Sequence, residues 1–197
     1  MICGAKIKYK IPIIGAIPVY HDGESYETLE FNDYILSQNT PFQVTEAYRA
    51  ARVFLQKLPA KEKPCNIYAV TSACPGEGKT ITAINIALSL AQNGCNVLLV
   101  DLDLRKPQIR NYLNLQNNSG FISYLAGNQK YVDILSLEGL PLHILASSDA
   151  HSEPAELFAS GPLEALLTKL SSNFDYIILD TPPLDSVIDA AVLSDII

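Results

Sequence analysis

The 197-residue chain has no tryptophan, one methionine and only three histidines. His21, His143 and His151 show no ligand spacing with one another, so no histidine metal centre is expected. Four cysteines, Cys3, Cys65, Cys74 and Cys95, form no C-x-x-C pair and are too few for a disulfide scaffold at this length. They read as reduced thiols. No apolar run approaches the ~18 residues of a spanning helix; the densest window, Ile11 to Tyr20, is short and holds Pro12 and Pro18. The lysines ahead of it imitate only the start of a secretory leader, and the expectation is a cytosolic chain. Excess positive charge is lacking as well: the formal net charge is −7, with +3 over residues 1–20, −5 over 21–40 and −9 over 113–197. That distribution argues against binding nucleic acid, and no nucleic-acid partner is expected.

What is present suffices for a core. Hydrophobic residues make up 48% and charged residues 18%, which is globular rather than disordered composition. Residues 21–39 are polar and acidic and read as a loop or linker, so residues 1–40 form an N-terminal extension and 41–197 the main domain. From Pro41, Val44, Ala47, Tyr48, Ala51, Leu55 and Leu58 recur at helical spacing, which predicts an amphipathic helix ending near Pro59. Thereafter types alternate. Strands are expected at NIYAVTS, NVLLVDLDL, LHILAS and YIILD. Helices are expected from Gly78 to about Asn93, capped by Gly94, from about Pro154 to Leu170, and from about Ser186. Shorter helical pieces are expected around 107–113, 120–126 and 131–137. Buried strands alternating with helices predict an α/β fold: a mostly parallel sheet of P-loop NTPase type with helices on both faces.

Between the first strand and its helix lies ACPGEGKT, residues 73–80. The general phosphate-binding pattern is G-x-x-x-x-G-K-[ST] in that setting, and Ala73 stands where its first glycine would be. Gly76 and Gly78 still let successive amides turn inward at the positive end of the helix dipole. Gly76, Glu77, Gly78, Lys79, Thr80 and Ile81 are therefore the candidate nucleotide-binding stretch. Lys79 would reach the phosphates, and the Thr80 hydroxyl would ligate Mg²⁺. Read blandly, the same residues are a glycine-rich turn capping an ordinary helix; the order strand, glycines, lysine, hydroxyl, helix favours nucleotide binding.

Acidic strand ends supply the second half of such a site. Asp101 and Asp103 close the second strand, and Asp180 closes the fourth. In an extended chain residues two apart share a side, which sets Asp101 and Asp103 together at the carboxyl edge where parallel sheets bind ligands. Carboxylates there can hold Mg²⁺ or accept a proton from an attacking hydroxyl. The competing role is capping of a following helix.

PGEGKT, VLLVDLDLRKP and ILDTPP resemble the Walker A, Walker A′ and Walker B motifs of bacterial tyrosine kinases, the autokinases of capsule and exopolysaccharide synthesis. EAYRAAR, residues 46–52, is similar to that family's E-x-x-R-x-x-R motif, and the resemblance runs from about Ile11 to the C-terminus. It implies ATP-dependent phosphoryl transfer to protein tyrosine with ATP and Mg²⁺. Lys79, Asp101 and Asp103 would be the catalytic residues, with Asp101 as the base candidate, and Thr80, Asp103 and Asp180 would form the metal side. It further implies a ring-shaped homo-oligomer through Glu46, Arg49 and Arg52, and a membrane-anchored chain-length determinant as activator. The chain would then be cytoplasmic, peripheral at the inner face of the membrane. The family's tyrosine-rich tail and its further strand after Walker B are not found before Ile197, so the kinase domain is expected to lack its C-terminal end. Two rivals are a partitioning or cell-division type P-loop ATPase and a non-catalytic nucleotide-binding regulator. The first typically carries an additional lysine early in the loop, and no lysine occurs between Pro64 and Glu77.

Overall fold

The computed structural model describes residues 12–18, 35–58, 65–116, 120–147, 149–185, 189 and 192–194. The chain folds as two compact units, Met1–Pro59 and Ala60–Ile197. In the first, residues 12–18 carry no strand, and Ile13, Ile14 and Ile17 are exposed. The acidic loop expected over 21–39 lies outside the described residues up to position 34. Helix α1 (Phe42–Lys57) has the expected apolar stripe, burying Val44, Tyr48, Ala51 and Leu55. Glu46 and Arg49 lie off that stripe and pair with each other one turn apart, Nη1 to Oε1 at 2.6 Å.

The second unit is built on a five-stranded sheet in the order β1-β5-β2-β4-β3, from β1 (Asn66–Val70), β2 (Val97–Asp101), β3 (Leu135–Ser136), β4 (Leu142–Leu145) and β5 (Tyr176–Asp180). The first four in that order run parallel, and β3 pairs antiparallel with β4. Every residue of β2 is buried, as a strand covered on both faces requires. Helix α2 (Lys79–Gln92) follows β1 and is buried almost all round from Ala83 to Ala91, so a one-sided apolar stripe is absent from it. The short helices are α3 (Ile109–Tyr112), α4 (Phe121–Leu125) and α5 (Pro154–Ala159). Helix α6 (Pro162–Leu170) turns Leu163, Leu166, Leu167 and Leu170 into the core with Phe121, Phe158 and Ile177.

Three expected elements differ. The second strand, expected to run on through Leu104 with Asp103 in extended alternation with Asp101, ends at Asp101, and Asp103 lies beyond it, where its N–H bonds back to Asp101 Oδ1. The helix expected over 154–170 is two helices, because Gly161 takes φ 91° and Pro162 restarts the chain at the first position of α6. The helical piece expected over 131–137 is extended chain ending in β3. Val132 and Ile134 are half-buried while Tyr131 and Asp133 are exposed, which is the period of two of a strand rather than that of a helix. Of the last expected helix, Asp189 and residues 192–194 are helical, and the rest lies outside the described residues.

Candidate functional site

Asp101 and Asp180 are register partners at the carboxyl ends of β2 and β5, and Val70 at the end of β1 partners Asp180 on the other side. The phosphate-binding loop leaves the sheet at the same edge. Its two glycines are required by backbone rather than by space: Gly76 has φ 81° and Gly78 φ 84°, and a Cβ added at either would meet no atom within 4 Å. Ala73 needs no such freedom, since Asn114 is the only non-glycine with positive φ among the described residues. That explains how the first glycine of the general pattern can be missing. Glu77 closes the loop on itself, its Oε2 accepting the Cys74 N–H at 3.0 Å.

Lys79 is the first residue of α2, and its ammonium lies where the strand ends converge. Nζ is 2.6 Å from Asp103 Oδ2 and 3.7 Å from Asp180 Oδ1, and it donates to Thr80 Oγ1 at 3.2 Å. Burial alone would lower the Lys79 pKa; the carboxylates of Asp180, Asp103 and Asp101 more than reverse this, and it stands above its ordinary value. The ammonium is thus firmly charged, as a phosphate-binding cation must be.

The acids are held differently. Asp101 is fully buried and accepts three backbone amides: Asp103 on Oδ1, and Gln108 and Ile109 on Oδ2, each at 3.2 Å. It caps the start of α3 while sitting at the sheet edge, so the capping role weighed from sequence is present. Its pKa is raised well above the ordinary value, first by burial and then by the like charge of Asp180, with the Ile109 amide opposing. Asp180 is equally buried, yet no backbone amide reaches its carboxylate; its neighbours are the Lys79 ammonium, 3.7 Å from Oδ1, and the Thr80 hydroxyl. Burial pushes its pKa up to about 6, against the pull of Lys79 and Thr80. A buried carboxylate with open lone pairs beside the Thr80 hydroxyl and Asp103 is a set of hard oxygens that suits Mg²⁺. Among the described residues no cluster of three or more His, Cys, Asp or Glu forms an all-protein metal cage.

A cavity of about 400 Å³ opens over these groups. Of the predicted residues, Gly76, Gly78, Lys79, Thr80, Ile81 and Asp103 line it; Glu77, Asp101 and Asp180 do not. The sequence reading missed Arg105, Lys106, Gln108, Tyr112, Pro183 and Asp185 on its walls. All six lie within nine residues after Asp103 or five after Asp180, so the loops beyond the acidic strand ends were the available signal.

The family model described as an AAA domain matches residues 65–196. Tyrosine-protein kinase YwqD of Bacillus subtilis is 34% identical over 163 residues, 77% of this chain and 64% of the relative. Putative tyrosine-protein kinase CapB of Staphylococcus aureus is 31% identical over 155 residues, covering 78% of this chain and 68% of its own length. The chain belongs to the AAA domain family and, within it, to the bacterial tyrosine-protein kinases. The kinase domain of Escherichia coli tyrosine kinase ETK superposes with a TM-score of 0.80 at 26% identity, covering 97% of this chain and 77% of that one. The septum site-determining protein MinD of Pyrococcus horikoshii, solved with Mg-ADP, gives 0.55 at 25% identity over 65% of this chain and 54% of its own. The P-loop NTPase-type fold is therefore shared with partitioning-type ATPases, while the likeness to the kinases extends across more of the chain and is not matched by that alternative. Membership of this family implies nucleotide binding. The chain spans just under two thirds of the length of the Bacillus subtilis kinase. Among the described residues no helix is long and apolar enough to cross a membrane.

Proposed function

We propose that this chain is the ATP-dependent phosphotransfer module of a protein-tyrosine kinase that regulates capsular or exopolysaccharide synthesis and export. The observation that carries the reading is Lys79, charged and set between Asp103 and Asp180 at the start of a 14-residue helix, on the wall of a cavity. The functional domain in this reading is 41–197, with 1–40 as an extension.

The nucleotide phosphates lie at the α2 N-terminus, where the amides of residues 76–81 and Lys79 meet their charge. Thr80, Asp103 and Asp180 would hold Mg²⁺, which would supply neutralisation of phosphate charge there. The acceptor tyrosine oxygen attacks the γ-phosphorus, the bond to the bridging oxygen of ADP breaks, and the phenolic proton passes to a carboxylate. A phenol of pKa ~10 gives up that proton more readily to a base whose own pKa has been raised. Support for Asp101 in that role is its raised proton affinity and its fixing by three amides.

The partners belong to the same proposal: a membrane-anchored chain-length determinant as activator, holding the protein at the inner face of the membrane, and a ring of copies through Glu46, Arg49 and Arg52. Arginine forks match carboxylates of a neighbour geometrically. The Glu46–Arg49 pair inside one helix is worth only about 0.2–0.5 kcal/mol and is readily exchanged for such a contact. Replacing all three residues by alanine is expected to shift a ring-sized species to monomer without unfolding it, read by light scattering after size exclusion. A strictly monomeric unmutated protein with Mg-ATP would return these residues to an ordinary solvated face. For the activity itself, the protein is mixed with Mg-ATP and the cytoplasmic tail of a co-encoded activator, and phosphotyrosine and free phosphate are measured separately. Phosphotyrosine is expected; phosphate release without it would give the site to an ATPase.

A further inference from the structure

Nucleotide binding accounts for Lys79 and the carboxylates around it, but not for what Arg105 does. Arg105 follows Asp103 by two residues and lines the cavity, yet its guanidinium forks onto Asp189. Nε reaches Oδ2 at 2.5 Å and Nη2 reaches Oδ1 at 3.1 Å, while Nη1 donates to the Ser152 carbonyl at 2.9 Å. The arginine side chain is 44% exposed and Asp189 only 1%. A carboxylate taken out of water is costly unless a partner compensates it, and a bidentate arginine is the geometry that compensates it best.

The turn that carries Arg105 is tied on every side. The Asp103 backbone carbonyl and Oδ1 both accept the Lys106 N–H, at 3.0 and 3.3 Å, and Asp103 Oδ2 meets Lys79 at 2.6 Å. The next carbonyl, that of Leu104, accepts the His151 N–H at 2.7 Å. Arg105 therefore bolts the turn bearing the Lys79-binding carboxylate to two distant points of the chain, Ser152 and Asp189.

We infer that Arg105 and Asp189 are a positioning pair that fixes Asp103 against Lys79, and that Asp189 is thereby coupled to the phosphate end of the cavity. The catalytic consequence rests on the kinase reading above; the mechanical part does not. Asp189 does not line the cavity, and the guanidinium of Arg105 is engaged by Asp189 and the Ser152 carbonyl. The pair acts by holding Asp103 in place, where a displacement of about an ångström is enough to slow a reaction by up to a hundredfold.

Asp189→Asn keeps the shape and removes the charge, Asp189→Glu keeps the charge, and Arg105→Lys keeps a cation without the fork. In the nucleotide-free protein, hydrogen exchange is expected to speed up in Asp189→Asn at the amides of Lys106, Gln108, Ile109 and His151, with α2 and β2 unchanged. In turnover, kcat is expected to fall by about tenfold while KM for ATP stays within about threefold, with Asp189→Glu recovering most of the loss and Arg105→Lys falling between. Unchanged exchange and kcat in a folded Asp189→Asn would overturn the inference. So would faster exchange across the whole sheet without a split between kcat and KM, since that marks a merely stabilising contact. Should Asp189→Asn fail to fold, Arg105→Lys decides by the same readouts. If the unmutated protein turns over no ATP and makes no phosphotyrosine, the kinase reading falls, and the exchange comparison alone then decides the positioning pair.

Discussion

Two strand ends in the same register carry the same residue and treat it oppositely. Beyond Asp101 the chain curls back and offers three amide donors, from Asp103, Gln108 and Ile109. Beyond Asp180 come Thr181, whose N–H and hydroxyl both go to the Val70 carbonyl, and then Pro182 and Pro183, which have no N–H to give. Leu184, the next donor, bonds Ser72. Asp180 is thus left open by the composition of the loop that follows it, although it is as deeply buried as Asp101. A folded chain rarely leaves a buried carboxylate without donors, because desolvation goes uncompensated. The difference separates an anchored acid, whose position is fixed by the fold, from one whose lone pairs remain for a cation or a metal.

The strongest way to probe this contrast is to remove the cation that lies 3.7 Å from Asp180 and acts on Asp101 only at longer range. Lys79→Met is expected to lower ATP turnover by roughly a hundredfold or more with the fold intact, since the lysine acts on developing charge rather than on the core. Turnover measured on a variant of unchanged circular dichroism decides it, and unchanged turnover would remove Lys79 from the chemistry. Next, Asp180→Asn is expected to weaken the apparent Mg²⁺ dependence of nucleotide binding by about tenfold to a hundredfold. The nucleotide-free protein should change little in stability, because the desolvated charge that is removed and its attraction to Lys79 offset each other. Titrating fluorescent ADP at stepped Mg²⁺ concentrations, alongside urea unfolding, separates the two effects; a large loss of stability would mean that Asp180 has structural partners after all.

Asp101→Asn should behave in the reverse sense. Asparagine has one acceptor oxygen and directs an NH₂ group at amides that are themselves donors. Stability is expected to fall by about 1–3 kcal/mol. Phosphotransfer should fall further than nucleotide affinity, because a base contributes mainly in the transition state. Urea unfolding together with separate kcat and binding measurements checks this, and a variant as stable as the unmutated protein would erase the contrast between the two acids.

Much of this was legible in the sequence, and unevenly so. Strong periodicity gave α1, the phosphate-binding loop and the Gly94 cap bracketed α2, and continuous apolar runs gave β1, β2, β4 and β5. The loop glycines and Lys79 stood out because phosphate binding constrains backbone and charge within a few residues. Local pattern could not give the break at Gly161, where a left-handed glycine before proline outweighed good helix formers on both sides. Nor could it tell Asp101 from Asp180, since which donors reach a carboxylate depends on how the following loop returns. The two prolines of DTPP held that information, but it becomes readable only once their missing amides are set against a carboxylate that needs them. Arg105 and Asp189, 84 residues apart, meet only in the folded chain.

The smallest expected effect is also the most specific to Asp180. An ordinary aspartate ionises near 3.8, whereas Asp180 in the folded protein holds its proton up to about 6. Between those values the native state binds a proton that the unfolded chain has released, so stability decreases as pH rises through the window and is level above it. About two pKa units correspond to roughly 3 kcal/mol as an upper bound for this one group. Asp101, also raised, slopes in the same direction, and Lys79, raised above its own value, stays charged throughout and adds no slope there. The difference between unmutated protein and Asp180→Asn, measured by urea unfolding from pH 4 to pH 7 without nucleotide or Mg²⁺, cancels the groups that do not feel Asp180 and leaves its own titration together with the part of the Asp101 rise that the Asp180 charge causes, both sloping the same way. Its expected form is a relative loss of stability in the unmutated protein that is complete by about pH 7. Lys79→Met should extend the loss to higher pH, because the cation that pulls the Asp180 pKa down is gone. A flat difference curve would mean that Asp180 finds donors in solution, and the two strand ends would then be alike.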